Sequence, residues 1–192
     1  MSADENRYLF LDFETTGVSP IFDSVVEVGA ILTDSEFVEI ARFESLVSPS
    51  SFGWAQMGPG SVVGRMHTES GLLQALAGGG ADLPSTGDVQ RELLALIDGH
   101  ASGSVVLAGS GVGAFDLQFI RFQMPKLAER LEYFPYDVGV LRREWRAANG
   151  VDLVDANEHK PHRAMADVEL HLLEARAFRT ALRVVSSNKT LA

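Results

Sequence analysis

Asp12-Phe13-Glu14 follows the apolar run Tyr8-Leu9-Phe10-Leu11 and precedes Thr15-Thr16-Gly17, and this short stretch constrains the fold more than any other. The apolar run reads as a buried β-strand. Side chains alternate along a strand, so Asp12 and Glu14 point the same way. Two carboxylates side by side repel, and a fold holds them readily only where positive charge lies between them. A divalent metal ion is the simplest such charge. The alternative is a solvated strand end ahead of a glycine turn.

The rest of the chain places other acids where they can join this pair. Val25 to Thr33 and Glu36 to Val47 read as two long strands joined at Asp34-Ser35, with Val26, Val28, Phe37, Ile40 and Phe43 as core positions. A Gly/Pro/Ser-rich loop is expected over Pro49 to Arg65, then helix from His67 to Ala77 and again from Asp88 to Asp98. Val105 to Ala108 is a short buried strand that ends at glycines. Asp116 to Leu131 reads as helix, Tyr133 to Asp137 as strand, Val138 to Ala148 as helix, and about Arg163 to Val185 as a long closing helix. Strands followed by alternating helices and strands predict an α/β fold with a mixed sheet. One domain over residues 1–192 is expected, with a loose tail from about 187.

Composition narrows the class. With 46% hydrophobic residues the chain can bury a real core, and no run of about 18 apolar residues predicts a membrane span. The start of the chain, Ser2-Ala3-Asp4-Glu5-Asn6, is polar and acidic, unlike a signal peptide. Zero cysteines exclude a disulfide framework and a thiolate zinc site, and a cytoplasmic protein is the natural reading. The net charge of −10 lies almost wholly in residues 1–100, which carry 4 Lys/Arg against 15 Asp/Glu. Such a chain binds long polyanions poorly, because that binding sums many phosphate neutralisations.

Four acids stand at element ends where one site can form: Asp12, Glu14, Asp116 after a strand-to-helix glycine loop, and Asp167. His162 lies five residues before Asp167. Five residues on a helix span about 500°, so the two share no helical face. Pro161 instead places His162 at the helix start, where the loop can aim the imidazole. Each piece has a plainer reading: Asp116 as a first-turn acid favoured by the helix dipole, Asp167 as a surface acid, His162 as a loop histidine.

Taken together, these residues resemble the DEDDh branch of the 3′–5′ exonuclease superfamily, which has a ribonuclease H-like fold. Asp12-Phe13-Glu14-Thr15-Thr16-Gly17 matches its first motif. Leu107 to Ile120, with Phe115-Asp116 and Phe119, matches the second, and His162-Arg163-Ala164-Met165-Ala166-Asp167 the third. The resemblance implies a three-layer α/β fold with a mixed central β-sheet flanked by helices. Within the branch, His67-Thr68-Glu69-Ser70-Gly71-Leu72 and Tyr133 to Arg143 are similar to segments of the oligoribonucleases. Two departures stand out. Gly109-Ser110-Gly111-Val112 replaces a Gly-Asn-Ser turn, and Gly139-Val140 follows Asp137-Val138 in place of Ser-Thr.

The resemblance implies a metal-dependent exonuclease acting on the 3′ ends of short single-stranded RNA or DNA, oligoribonucleotides above all. Its cofactors would be two divalent ions, Mg²⁺ or Mn²⁺, about 3.5–4 Å apart and held by Asp12, Glu14, Asp116 and Asp167. His162 would act as general base, its ordinary pKa of about 6.5 suiting that work near neutral pH. Thr15, Ser70, Leu72 and Tyr133 would touch substrate, Leu72 wedging against a terminal base and Tyr133 reaching in from a partner subunit of a homodimer. Periodicity alone supports a core role for Leu72 equally. Arg142, Arg143, Arg146 and Trp145 offer a basic, stacking surface or an ordinary solvated helix face.

Three rivals remain. A DNA proofreading subunit shares the chemistry and differs in substrate. A non-catalytic module that docks on a polymerase or nucleic acid has no need of four repelling carboxylates, and a polymerase partner has no support in the sequence. Gly109-Ser110-Gly111-Val112-Gly113-Ala114 after a short strand also fits a dinucleotide-binding fingerprint, but that reading leaves Asp12, Glu14, His162 and Asp167 without a role.

Overall fold

The computed structural model describes residues 7–155 and 162–189. Five strands form one mixed sheet in the order β3-β2-β1-β4-β5. β1 (Tyr8–Thr15), β2 (Val25–Thr33) and β3 (Glu39–Leu46) are each antiparallel to the next. β4 (Val106–Gly109) and β5 (Tyr136–Asp137) extend the sheet in parallel beyond β1. Eight α-helices are described: α1 (Ser51–Gln56), α2 (Val62–Glu69), α3 (Leu72–Gly79), α4 (Thr86–Asp98), α5 (Asp116–Gln123), α6 (Pro125–Ala128), α7 (Val138–Asn149) and α8 (Ala164–Lys189).

Every residue of β2 is buried, as expected of a strand covered on both faces. On one face Leu9, Leu11, Val28 and Leu32 pack against Val89, Leu93 and Ile97 of α4 and Phe119 and Ile120 of α5. On the other, Phe10, Ile31 and Ala108 meet Met165, Val168, Leu172, Ala175 and Phe178 of α8. Those α8 positions recur every three or four residues, one stripe of a helix. The three-layer arrangement implied by the motifs is the one found. No described helix is long and apolar enough to cross a membrane.

Local structure departs from the sequence reading where capping outweighs composition. The Pro49–Arg65 segment is not a loop but carries α1 and the start of α2. Ser50 and Ser61 cap the two helices, accepting from Gly53 N at 3.0 Å and Gly64 N at 2.8 Å. The expected His67–Ala77 helix breaks at Gly71, whose φ of 75° is left-handed. Pro125 splits the expected Asp116–Leu131 helix, and the strand expected over Tyr133 to Asp137 shrinks to Tyr136–Asp137. α8 continues to Lys189, inside the expected tail; residues 190–192 lie outside the described residues.

β3 begins at Glu39, because Asp34 Oδ1 accepts from the N–H groups of Glu36 and Val38 and draws the chain into a turn. Phe37 adopts φ 61° there and is fully buried. Its carbonyl accepts from Arg176 Nε and Nη2 at 2.9 and 2.7 Å, and Arg179 lies 3.5 Å over its ring. Ile40, expected in the core, is exposed on this edge strand, while Phe43 is partly buried against the core. The basic surface expected on α7 is largely neutralised. Arg142 pairs with the buried Glu174 through Nε at 2.6 Å, Arg146 pairs with Asp152, and Trp145 packs on Phe178.

Candidate active site

Alternation along β1 sends Leu11 and Phe13 toward α4 and α5, and Asp12 and Glu14 toward α8. Across β2 their partners on the same face are Gly29 and Glu27. Gly29 leaves room for α8: a Cβ there would stand 2.6 Å from backbone atoms of Ala164 and Met165. The helix therefore starts directly over the strand acids and carries Asp167 in its first turn. Asp116 opens α5 just beyond the β4 loop, and its Oδ1 accepts the Phe13 N–H at 3.0 Å. Asp12, Glu14, Asp116 and Asp167 all line one cavity of about 350 Å³.

His162 precedes α8 in the left-handed region, with φ 46°. The loop, not a shared helical face, brings it to the acids. One ring nitrogen of His162 and one carboxylate oxygen each from Glu14 and Asp167 lie within 4.8 Å of one another. Oxygen donors sit at about 2.0–2.6 Å from a divalent cation, so the Glu14 and Asp167 carboxylates are close enough to share one with His162 beside them. Pro161 lies outside the described residues.

The electrostatics of the cavity call for a cation. Burial pushes the Glu14 carboxyl up to about 8, with Asp167 and Glu27 adding repulsion and the Arg163 guanidinium opposing it. Burial likewise raises Asp116 to about 7, against the lowering effect of hydrogen bonds from the N–H groups of Phe13 and Asp116 itself. Without a cation, both carboxyls keep their protons to higher pH than an ordinary carboxyl does. The four carboxylates form an all-oxygen donor set that could hold a divalent cation.

The other residues expected at the site fall in different places. Thr15 lines the cavity and donates its hydroxyl to Gly17 O at 2.6 Å. Leu72 does not reach it: the Gly71 turn carries Leu72 inward to pack with Val26, Met57 and Leu76, with no exposed surface. Its apolar place at the cavity is taken by Val18, Val63, Met66 and Phe115. Ser70 caps α2 and stands outside the lining. Tyr133 is also outside it, 79% exposed and edge-on to Phe134 at 4.7 Å. The Gly109–Ala114 loop contributes Ser110 and Gly111 to the acid cavity, and the antiparallel pairing of β1, β2 and β3 is not the parallel sheet that the dinucleotide-binding alternative requires.

His67 is a site residue whose role the sequence did not disclose. It is fully buried on α2, and Nε2 lies 2.9 Å from Thr15 O, so that nitrogen carries the proton. Its Nδ1 lies 3.9 Å from Glu14 Oε2. Burial holds its pKa below the ordinary histidine value, keeping the ring neutral. Its one signal in the sequence was its place at the head of the His67–Leu72 segment that is similar to the oligoribonucleases.

Comparison with known proteins agrees with this geometry. A family model described as "Exonuclease" matches residues 9–54, the segment that carries Asp12 and Glu14. The oligoribonuclease of Streptomyces griseus is 33% identical over 186 residues, covering 93% of this chain and 88% of that protein. The oligoribonuclease of Corynebacterium diphtheriae is 33% identical over 184 residues, covering 92% and 83%. Among solved structures, E. coli exonuclease I in complex with a dT13 oligonucleotide superposes with a TM-score of 0.65 at 18% identity. That match covers 96% of this chain and 43% of exonuclease I, so this chain spans less than half of that enzyme and shares its fold. With a third of its residues identical to the two oligoribonucleases over nearly its whole length, the chain belongs to the oligoribonuclease family of 3′–5′ exonucleases.

Proposed function

We propose that this exonuclease removes nucleotides from the 3′ ends of short single-stranded nucleic acid, oligoribonucleotides above all, with two divalent ions and a histidine base. The observation that carries this reading is the meeting of Asp12, Glu14, Asp116 and Asp167 in one cavity, with His162 beside two of them. Those four carboxylates would hold the ions. When bound, divalent ions supply the positive charge that offsets charge building on the phosphate and on the leaving oxygen. His162, reaching in from the solvent side, takes the proton of the attacking water.

The walls support a short substrate. Val18, Val63, Met66 and Phe115 form an apolar side against which a terminal base can lie. At about 350 Å³ the cavity is at the small end of ligand pockets. No Lys or Arg is among its described lining residues, so a long phosphate backbone finds little grip there. The exposed Tyr133–Phe134 pair supports association with a second copy of the chain, which sedimentation would read as a dimer.

A time course on end-labelled RNA and DNA of two, five and twenty nucleotides, with Mg²⁺ or Mn²⁺, tests the reading. Fastest release from the short RNA is expected. Preference for frayed long DNA would favour a proofreading enzyme instead, and no metal-dependent release from any of them would refute the proposal.

A further inference from the structure

Glu27 is the third residue of the apolar strand β2 and has no exposed surface. A buried carboxylate is strongly unfavourable unless its oxygens are paired. Here both are. They accept from Arg163 Nε at 2.8 and 3.1 Å, from Arg163 Nη2 at 2.6 Å, and from the backbone N–H of Ala164 at 3.0 Å. Ala164 is the first residue of α8, where unpaired N–H groups leave the helix end positive.

One carboxylate thus grips both the residue before the helix and the helix's first donor. Arg163 stands between the two functional groups of the third motif. His162 is its neighbour, and its own carbonyl accepts the Asp167 N–H at 3.0 Å. His162 holds a left-handed backbone, which is strained for a residue with a Cβ and persists only where the surroundings over-determine it.

We propose that Glu27 and Arg163 are positioning residues of the hydrolytic site, clamping the start of α8 to β2 so that His162 and Asp167 meet Glu14. The proposal rests on the exonuclease reading for its catalytic consequence, while the clamp itself is a property of the metal-free chain. Neither residue lines the cavity. They act on the site by placing His162 and Asp167, beside the opposite charges that the pair presents to Glu14. The register makes the coupling direct, because Glu27 lies opposite Glu14 across the β1–β2 ladder.

Glu27→Gln keeps the size of the side chain and an acceptor for Ala164 while removing the charge that holds the guanidinium. In this variant kcat should fall about 10- to 100-fold with KM held within about twofold, since displacing a reacting group by about 1 Å costs that much. Arg163→Met should lose as much, and the double variant no more than either alone, because the pair acts as a unit. Arg163→Lys, which keeps the charge without the fork, should recover part of the Arg163→Met loss. Additive losses, or a rise in KM at constant kcat, would overturn the proposal.

A second readout needs neither metal nor substrate. Amide hydrogen exchange at Ala164 to Asp167 in metal-free Glu27→Gln should quicken by about tenfold or more relative to the rest of α8. Unchanged exchange there would overturn the clamp whatever the enzyme cuts. Quickened exchange in a chain whose wild type hydrolyses no nucleic acid would count against the exonuclease substrate reading alone.

Discussion

The backbone N–H of Phe13 donates to Oδ1 of Asp116 at 3.0 Å, tying two motifs that lie 103 residues apart. Phe13 is the residue between Asp12 and Glu14. Its side chain faces the α4–α5 core, which leaves its N–H in the plane of the sheet at the strand end. There it takes one oxygen of Asp116. The hydrogen bond registers α5 against β1, and with it the third acid against the first two.

Asp116 therefore has two separable jobs. Asp116→Asn retains an oxygen for Phe13 N–H and should unfold within a few degrees of the wild type while hydrolysis falls below measurement. Asp116→Ala should also lose hydrolysis, and leaving the buried Phe13 N–H unpaired should cost about 1–3 kcal/mol in addition. Thermal unfolding of the two variants side by side separates the jobs. Full activity in folded Asp116→Asn would refute the role of this carboxylate in holding metal.

His162→Ala should act on turnover. It is exposed and belongs to none of the three core clusters, so the variant should fold with wild-type stability. The expected loss is in kcat, about 10²- to 10⁴-fold for a general base, with metal-dependent binding of a short oligonucleotide kept. A change confined to binding would remove the base assignment.

The buried acids make the metal-free protein sensitive to pH, and the sign is definite. Glu14 rises from 4.5 to about 8 on folding and Asp116 from 3.8 to about 7. Between those limits the folded chain holds protons that the unfolded chain has released, so stability falls as pH rises. His67 works in the opposite sense. Its lowered pKa removes stability as pH drops below its unfolded value of 6.5. Above 6.5 the His67 contribution fades while the two acids continue to act, and the melting temperature without metal should decline from pH 6.5 to 8. Mg²⁺ or Mn²⁺ should raise it more at pH 8 than at pH 6.5, because the ion replaces protons. Glu14→Gln should flatten the decline; a decline of unchanged depth in that variant would discount Glu14 as its source.

Gly29→Ala is a one-carbon change with a large expected effect. The new Cβ would meet backbone of α8 at 2.6 Å, and backbone cannot swing aside as a side chain can. The start of α8 must lift from β2, carrying His162 and Asp167 with it. Stability should drop by about 1–3 kcal/mol, as for overpacked cores, and kcat should fall further than that loss of folded protein explains. Activity measured well below the unfolding temperature makes the distinction.

Phe37→Ala tests the opposite end of α8. The ring is fully buried beneath Arg179, and the turn it occupies is pinned by Arg176. Truncating a buried phenylalanine costs about 3–5 kcal/mol, which for a domain of this size lowers the melting temperature by about 6–20 °C. The Michaelis constant of the remaining folded enzyme should not change, since Phe37 is not part of the cavity lining.

How much was legible in the chain varies by residue. The pairing of Asp12 with Glu14 follows from the two-residue period of a strand, and the buried stripe of α8 from its three- and four-residue spacing; both are local properties of a polypeptide. The order of three motifs then named the family before any fold was known. Leu72, by contrast, carries the same apolar side chain whether it wedges against a base or fills a core. Only the left-handed turn at Gly71, seen in three dimensions, sends it inward.

The arginines teach the same lesson about charge. Arg142 and Arg146 are one helical turn apart and read as a basic face, yet Glu174, 32 residues later, neutralises the first. Arg163 and Glu27 are separated by 136 residues and share no pattern along the chain. Local periodicity thus determined the elements and which acids each one presents. Which charge each acid meets, which apolar residue reaches the cavity, and how the start of α8 is held were decided by tertiary contacts alone, because burial and pairing depend on what the rest of the chain brings alongside.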